Sequence, residues 1–216
     1  MKKFLFLFLL MLVLGSAVTA QEIRPGILGG INFQNLNGED GTGDKLENEL
    51  IMGFHAGVNV LIPISPEIFF QPGVLFSTKG AKVNDILVDI SYKISYIELP
   101  LNIVYRGKLG NSFVLLGFGP YLGYAVAGNV VFEDDVKRKI EFKNVVEPGD
   151  PVITPYLKSF DAGANIFAGY ELENGIFFQL NAQLGMVNIN PEDNRDQTEE
   201  GTMKNTGFGL SLGYRF

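Results

Sequence analysis

Cysteine and tryptophan are both absent from this chain of 216 residues, and histidine occurs once. Without cysteine the protein can form neither disulfides nor thiolate metal sites. It also cannot carry the cysteine-linked lipid of a lipoprotein. The formal net charge of −7 provides no basic surface for nucleic acid, so nucleic acid is excluded as a partner.

Long apolar runs are scarce as well, because only the stretch from Phe4 to Leu14 qualifies. It follows Lys2-Lys3 and leads to the small residues Val18-Thr19-Ala20, which is typical of a cleaved secretory signal peptide. The run is too short to span a bilayer comfortably. We expect a signal peptide over residues 1–20 and one domain over residues 21–216, outside the cytoplasm.

Apolar residues in the remaining chain recur at every second position, most clearly near the C-terminus. One side of the stretch 206–216 would carry Phe208, Leu210, Leu212, Tyr214 and Phe216, and the other side only small or polar residues and Arg215. Successive side chains of a strand point to opposite faces. A strand between lipid and a narrow polar lumen requires this pattern.

Seven further segments alternate in the same way. They run from Pro25 to Leu36, Ile51 to Ile62, Glu67 to Gly80, Ser91 to Arg106, Ser112 to Gly128, Ser159 to Leu172 and Gly175 to Ile189. The sequence therefore predicts an all-β fold, an eight-stranded antiparallel up-and-down transmembrane β-barrel. Three prolines, Pro72, Pro100 and Pro120, fall inside segments, and we interpret them as bulges or positions near a rim. Without tryptophan, the eight tyrosines and the phenylalanines are expected to form the interfacial aromatic belts.

The predicted connections alternate between short and long. The short ones are 63–66, 107–111 and 173–174, and the long polar ones are 37–50, 81–90, 129–158 and 190–205. Short periplasmic turns and long extracellular loops are typical of outer-membrane barrels. An even strand number places both termini in the periplasm. The third long connection is expected to extend the fifth and sixth strands as a hairpin, because Phe132, Ile140 and Phe142 alternate with polar residues.

Several stretches resemble the PorT-like outer-membrane β-barrel family of the Bacteroidetes. They are Gly30–Leu36, Gln71–Gly80, Tyr96–Leu101, Gly117–Tyr124, Asp161–Ala164 with Gly169–Glu171, and Leu212–Phe216. The resemblance implies an eight-stranded barrel in the outer membrane of a Gram-negative bacterium, inserted by the barrel-assembly machinery. That machinery would recognise the aromatic last strand, with Phe208, Tyr214 and Phe216 as the assembly signal.

A polar and charged network is predicted in the lumen, where the alternation places the inward side chains. Its members are His55, Glu98, Asn102, Arg106, Asp161, Glu171, Gln179 and Arg215. Buried charges need partners, and eight strands leave little free room, so we favour a salt-bridged plug over a substrate or ion path. A catalytic His55 would need a nucleophile and an orienting carboxylate, and no serine lies in a recognisable motif.

Function is expected to be non-enzymatic, with a structural or surface-interaction role exerted through the long loops. The alternatives are a narrow pore for small solutes and, less favoured, a membrane-embedded lipid-modifying enzyme. The acidic loop stretches 133–135 and 192–200 do not match a calcium-binding loop, so no metal or cofactor is expected. The expected partners are outer-membrane lipid and lipopolysaccharide, and a surface ligand or protein bound by the loops.

Overall fold

The computed structural model describes residues 23–84, 89–132, 136–195 and 201–216. Residues 1–20, where the signal peptide is expected, lie outside this range. Eight long strands make up most of the described chain. They are β1 (Arg24–Glu39), β2 (Ile51–Pro63), β3 (Ile68–Asn84), β4 (Asp89–Leu109), β5 (Ser112–Phe132), β6 (Phe160–Glu171), β7 (Ile176–Gly185) and β8 (Thr202–Arg215). Within the described residues no helix is long and apolar enough to cross a membrane.

The eight strands close into a ring. Each pairs antiparallel with the next along the chain, and β8 pairs with β1 over fourteen residues, from Gly26 opposite Arg215 to Glu39 opposite Thr202. A closed ring leaves no strand edge with unpaired backbone groups, which is the condition for a sheet to cross a bilayer. The predicted eight-stranded antiparallel barrel is confirmed.

Successive side chains of each strand alternate between an apolar outer wall and a filled interior. On β7, Phe178 and Leu180 are 52% and 63% exposed, whereas the alternate residues Phe177 and Gln179 are 0% and 6% exposed. The outward positions of the other strands are likewise mostly large and apolar. This is the surface that hydrocarbon chains would cover in a membrane.

Several boundaries at the loop end differ from the prediction. The strand β7 ends at Gly185 and not at Ile189, and β8 begins at Thr202 and not at Thr206. The stretch 81–90 was expected as a loop, but β3 continues to Asn84 and β4 begins at Asp89, which leaves a connection of residues 85–88. The third long connection was expected to extend both β5 and β6, but only β5 is extended. Residues Lys137–Lys139 pair back onto β5, whereas β6 does not extend to meet them and begins at Phe160.

The prolines lie inside continuous strands, not at bulges. Pro72 faces Leu101, Pro100 faces Tyr121 and Pro120 faces Ala164, each in the register of the surrounding ladder. The ladders between β2 and β3, β3 and β4, and β4 and β5 skip two residue pairs beside the prolines and then resume in register. Proline lacks an amide hydrogen, so it interrupts a ladder without shifting it. The register shift that does occur lies between Ser95 and Tyr96.

One end of the barrel carries the turns 64–67, 110–111 and 172–175, and we call it the turn end. The other, the loop end, carries the connections 40–50, 85–88, 133–159 and 186–201. These connections contain short strands of their own. Glu141–Phe142 pairs with Tyr156–Leu157, and Val145–Val146 pairs with Glu192–Asp193. The second pairing joins two different connections into one structure.

An apolar cap closes the loop end. Its buried members are Leu36, Ala81, Ile94, Tyr96, Ala125, Val130, Ile140, Leu157 and Ile189. Three of them, Ile140, Leu157 and Ile189, come from the connections and not from the barrel strands. The connections therefore fold inward over the mouth of the barrel.

A charged residue at the middle of the outer wall should destabilise the barrel in lipid. We expect Leu180→Arg to lower the free energy of unfolding by about 2 to 4 kcal/mol, because the guanidinium would lie in hydrocarbon. Urea titration of the protein refolded in phospholipid vesicles measures this loss. The matched control is Val152→Arg, at an exposed loop position. Equal stability of the two variants would contradict the lipid-facing assignment of β7.

Candidate functional site

The lumen is layered along the barrel axis, and β4 crosses every layer. From the turn end its inward residues are Arg106 in a charged layer, Val104 in an apolar layer and Asn102 beside a polar cavity. Glu98 follows in a second charged layer, and Tyr96 and Ile94 lie in or against the apolar cap. The alternation of β4 thus places the residues of the layers in order along its inward face, with Pro100 between Asn102 and Glu98.

Glu171 gathers three arginines at the turn end, in what we call the turn-side cluster. Its carboxylate lies 3.2 Å from Arg24, 2.7 Å from Arg106 and 3.0 Å from Arg215. Arg215 also donates to the amide oxygen of Asn59 at 3.0 Å. With one carboxylate for three guanidinium groups, the cluster carries two excess positive charges.

Lys79 occupies the centre of the second charged layer, the loop-side cluster. Its ammonium is fully buried, 2.7 Å from a carboxylate oxygen of Glu98 and 3.1 Å from one of Asp161. The hydroxyl of Tyr121 donates to Asp161 at 3.0 Å, and the Tyr121 ring lies 4.3 Å from the ammonium. Asn205 donates to Asp161 and to the Tyr96 hydroxyl. This cluster carries one excess negative charge.

Below the apolar cap and the loop-side cluster lies a polar cavity of about 90 Å³. Nε2 of His55 lies 2.7 Å from the Ser211 hydroxyl, and the amide of Asn181 donates a hydrogen bond to that hydroxyl. The Asn165 amide donates to Asn102 at 2.7 Å. A buried amide nitrogen of Gln179 finds no partner among the described residues, and water would satisfy it.

The eight lumen residues named from the sequence therefore fall into three places. Arg106, Glu171 and Arg215 meet in the turn-side cluster, Glu98 and Asp161 share Lys79, and His55, Asn102 and Gln179 line the cavity. The structure gives His55 a serine neighbour, Ser211, that no motif indicated. Among the described residues no carboxylate hydrogen-bonds to the His55 ring.

Sequence reasoning missed Lys79, which joins two of the named carboxylates. Lys79 has the same parity on β3 as the buried residues Gln71 and Ser77. The alternation of the strand could therefore have predicted that its side chain faces the lumen. Tyr96 and Tyr121 were expected in the aromatic belts but lie buried in the lumen, and Tyr156 is buried among the connections. Four tyrosines do face outward, namely Tyr105, Tyr124, Tyr170 and Tyr214.

The three residues expected to form the assembly signal lie on the outer wall of β8 or just beyond it. Phe208, Tyr214 and Phe216 are all exposed, and the rings of Tyr214 and Phe216 meet edge to face at 5.0 Å. Phe208 stacks on Phe33 of β1, with ring centroids 5.3 Å apart. The contact between Phe208 and Phe33 extends the β8–β1 seam onto the outer surface.

Ion pairs also brace the connections at the loop end. Lys143 donates to Asp150, and this hydrogen bond lowers the pKa of the Asp150 carboxyl. The Arg195 guanidinium binds Asp193 and lowers the pKa of that carboxyl in the same way. Arg195 also donates to the backbone oxygen of Pro151, which ties the fourth connection to the third. Residues 133–135 and 196–200, which include most of the acidic loop positions, lie outside the described chain.

A family model described as the outer membrane protein beta-barrel domain matches residues 19–190. The chain belongs to this family. The outer membrane is accordingly the place of this barrel. A search of the curated proteins finds no match.

Solved structures of bacterial outer-membrane proteins are similar to this outer-membrane barrel. One is Ail, the attachment invasion locus protein of Yersinia pestis, in complex with the heparin analogue sucrose octasulfate (13% identity, 91% of this chain and 100% of that chain, TM-score 0.40). Another is the outer membrane protein OprG from Pseudomonas aeruginosa (12% identity, 89% and 95%, TM-score 0.48). A third is AlkL in lipid bilayers (17% identity, 93% and 94%, TM-score 0.36).

Removal of the Lys79 ammonium should destabilise the barrel strongly. In Lys79→Met the carboxylates of Glu98 and Asp161 would remain buried without a counter-charge, which costs about 3 to 5 kcal/mol. Urea titration in phospholipid vesicles measures the loss. The control is the neutral triple variant Lys79→Met, Glu98→Gln, Asp161→Asn, which should recover most of it. If the single variant is as stable as wild type, the loop-side cluster does not hold the lumen together.

Proposed function

We propose that this outer-membrane barrel is plugged and non-enzymatic, and that it serves envelope structure or surface interaction through its long connections. The observation that carries the proposal is the loop-side cluster. Lys79 reaches across the lumen from β3 to Glu98 on β4 and Asp161 on β6, with Tyr121 packed against its ammonium. Charged groups in such contact would have to separate before a solute could pass.

The apolar cap supports the same conclusion. Ile140, Leu157 and Ile189 are almost fully buried against barrel residues such as Ile94 and Ala81. A dry apolar layer resists the passage of ions and polar solutes. The connections that supply these residues also form the surface of the loop end. The same segments therefore close the mouth of the barrel and provide a surface for a partner.

The alternative of a narrow pore has less support. The cavity of about 90 Å³ has room for only a few water molecules, and charged layers lie on both sides of it. The turn-side cluster has an excess positive charge, which would suit the entrance of an anion path. Such a path would be blocked further along the lumen by the loop-side cluster around Lys79 and by the apolar cap.

The enzyme alternative has one favourable contact, between His55 and Ser211. We favour the plugged barrel over the enzyme for two reasons. A nucleophilic serine needs a base that is itself held in orientation by a third group, and the reaction needs space for a substrate. The described hydrogen bonds supply no carboxylate to His55, and the neighbouring cavity is too small for a lipid substrate. The pair is better explained as part of the polar filling of the lumen.

We infer that the chain is a PorT-like barrel of the Bacteroidetes with a cleaved signal peptide over residues 1–20. We further propose that the turn end and both termini face the periplasm, and that the long connections meet lipopolysaccharide, a surface ligand or a protein partner. The segregation of turns and connections to opposite ends supports this orientation. The outward aromatic residues of β8 support recognition by the barrel-assembly machinery.

Conductance across a planar lipid bilayer tests the plug. The full chain, refolded and inserted, should show no stepwise openings, because both the loop-side cluster and the apolar cap block the lumen. A refolded porin inserted under the same conditions is the positive control. Steady single-channel openings of the wild-type protein would overturn the plugged barrel in favour of the pore.

Replacement of Phe216 tests the assembly signal. We expect Phe216→Ser to leave the protein in the periplasm and prone to degradation, because the assembly machinery would fail to recognise β8. Membrane fractionation and immunoblotting measure the outer-membrane level. Phe160→Ser is the matched control, since Phe160 is also an exposed aromatic residue on the outer wall, but of β6. Normal outer-membrane levels of Phe216→Ser would refute the assignment.

A further inference from the structure

We propose that the mouth of the barrel at the turn end is a binding site for a small soluble phosphate monoester, whose phosphate contacts Arg24, Arg106 and Lys108. These three side chains line one depression inside the ring of strands. The inference goes beyond the plugged barrel and does not require a closed lumen. Binding is measured without any current across a membrane, so a failure to bind would leave the plug unaffected.

The depression has a volume of about 610 Å³, and all three turns contribute to its lining. Ser65 and Pro66 come from the turn 64–67, Asn111 from 110–111 and Glu173 from 172–175. Deeper in the lumen lie the rest of the turn-side cluster and then the apolar layer that contains Val104. A solute could therefore enter from the turn end and would stop at this apolar layer.

The turn-side cluster contains more hydrogen-bond donors than acceptors. Arg106 donates to Glu171 through Nε and Nη2, and Arg24 donates to it through Nη1. Within the described residues, Nε of Arg24 and Nη2 of Arg215 are buried without an acceptor. Each guanidinium carries five N–H groups, so one carboxylate cannot accept from all of them. An oxyanion in the depression would supply acceptors for the accessible N–H groups of Arg24 and Arg106.

The charges around the depression leave an excess of two positive charges. The turn-side cluster supplies this excess, and Lys108 and Glu173 add one charge of each sign to the lining. Two further carboxylates at this end, those of Glu67 and Phe216, lie outside the lining. Within the described chain, neither of them nor Glu173 forms an ion pair with the cluster or with Lys108. The cations of the depression therefore remain available to an anion.

A phosphate monoester matches this site better than a carboxylate does. It carries close to two negative charges at pH 7 and three acceptor oxygens, and guanidinium groups bind such oxygens in pairs. The depression is larger than a phosphate group, and Phe69 and Phe113 add apolar surface to it, so an organic part of the ligand also has room. Because the lining lies inside the ring of strands, acyl chains in the bilayer are separated from it. These features favour a soluble ligand over a lipid.

Isothermal titration calorimetry of the detergent-refolded full chain, in a phosphate-free buffer, tests the site. The probes are glycerol 3-phosphate and lactate, which is a three-carbon monocarboxylate. We expect one molecule of glycerol 3-phosphate to bind, at least about tenfold more tightly than lactate, because only the phosphate carries close to two charges. Equal affinity for the two probes would overturn the proposal. So would the absence of saturable binding of glycerol 3-phosphate up to about 10 mM.

Charge variants locate the binding site at the turn end. Lys108→Gln and Arg24→Gln should each weaken glycerol 3-phosphate binding about fivefold, because each removes one positive charge beside the phosphate. Glu173→Gln should strengthen binding, because it removes the acidic group of the lining. Lys137→Gln is the matched control, since it removes the same charge as Lys108→Gln from an exposed position at the loop end and should bind as wild type.

Heat-modifiable migration in SDS gels checks that each variant is folded. Lys108 is exposed and makes no ion pair among the described residues, so Lys108→Gln tests the site even if Arg24→Gln does not fold. Unchanged affinity of folded Lys108→Gln would overturn the proposal. A loss in Lys137→Gln equal to that in Lys108→Gln would also overturn it, because binding would then follow the net charge of the protein and not this depression.

Discussion

The pairing of β8 with β1 is the contact on which the rest of the molecule depends. A bilayer offers no hydrogen-bond partners to the backbone, so an eight-stranded sheet can remain there only if its first and last strands satisfy each other. The fourteen paired positions from Gly26 and Arg215 to Glu39 and Thr202 provide this closure. Closure then divides every strand into lipid-facing and lumen-facing residues, and it sets the width into which all inward side chains must fit.

The narrow lumen explains the composition of its lining. Glycines at inward positions make room for the few large inward rings. A β-carbon on Gly213 would collide with the Phe177 ring, and one on Gly117 with the Phe167 ring. Charges occur where they can be paired across the barrel, as Glu171 is with three arginines and Lys79 with two carboxylates. The inward side chains that fill the interior thus also pair its charges across the barrel, and the closed lumen follows from both.

The alternation of side chains was sufficient to predict the fold, because each strand of a membrane barrel shows both of its environments in its own sequence. It also indicated the inward parity of Glu98, Asp161 and Glu171, but it could not show which of them meet, since partners such as Lys79 and Asp161 are distant along the chain. Boundaries at the loop end were predicted poorly. There β3 and β4 leave the hydrocarbon and become polar, as at Lys82 and Lys93, so the apolar period that marks a strand is lost although the hydrogen bonds continue.

The short ladder between Val145–Val146 and Glu192–Asp193 has a consequence for the way an antibody would bind this protein. It joins two connections that are separated in sequence by the whole of β6 and β7, and Arg195 ties them again through Pro151. The surface at the loop end is therefore a discontinuous epitope. An antibody raised against either connection as a linear peptide would meet a different shape on the folded protein, and sequence drift in one connection is constrained by the other.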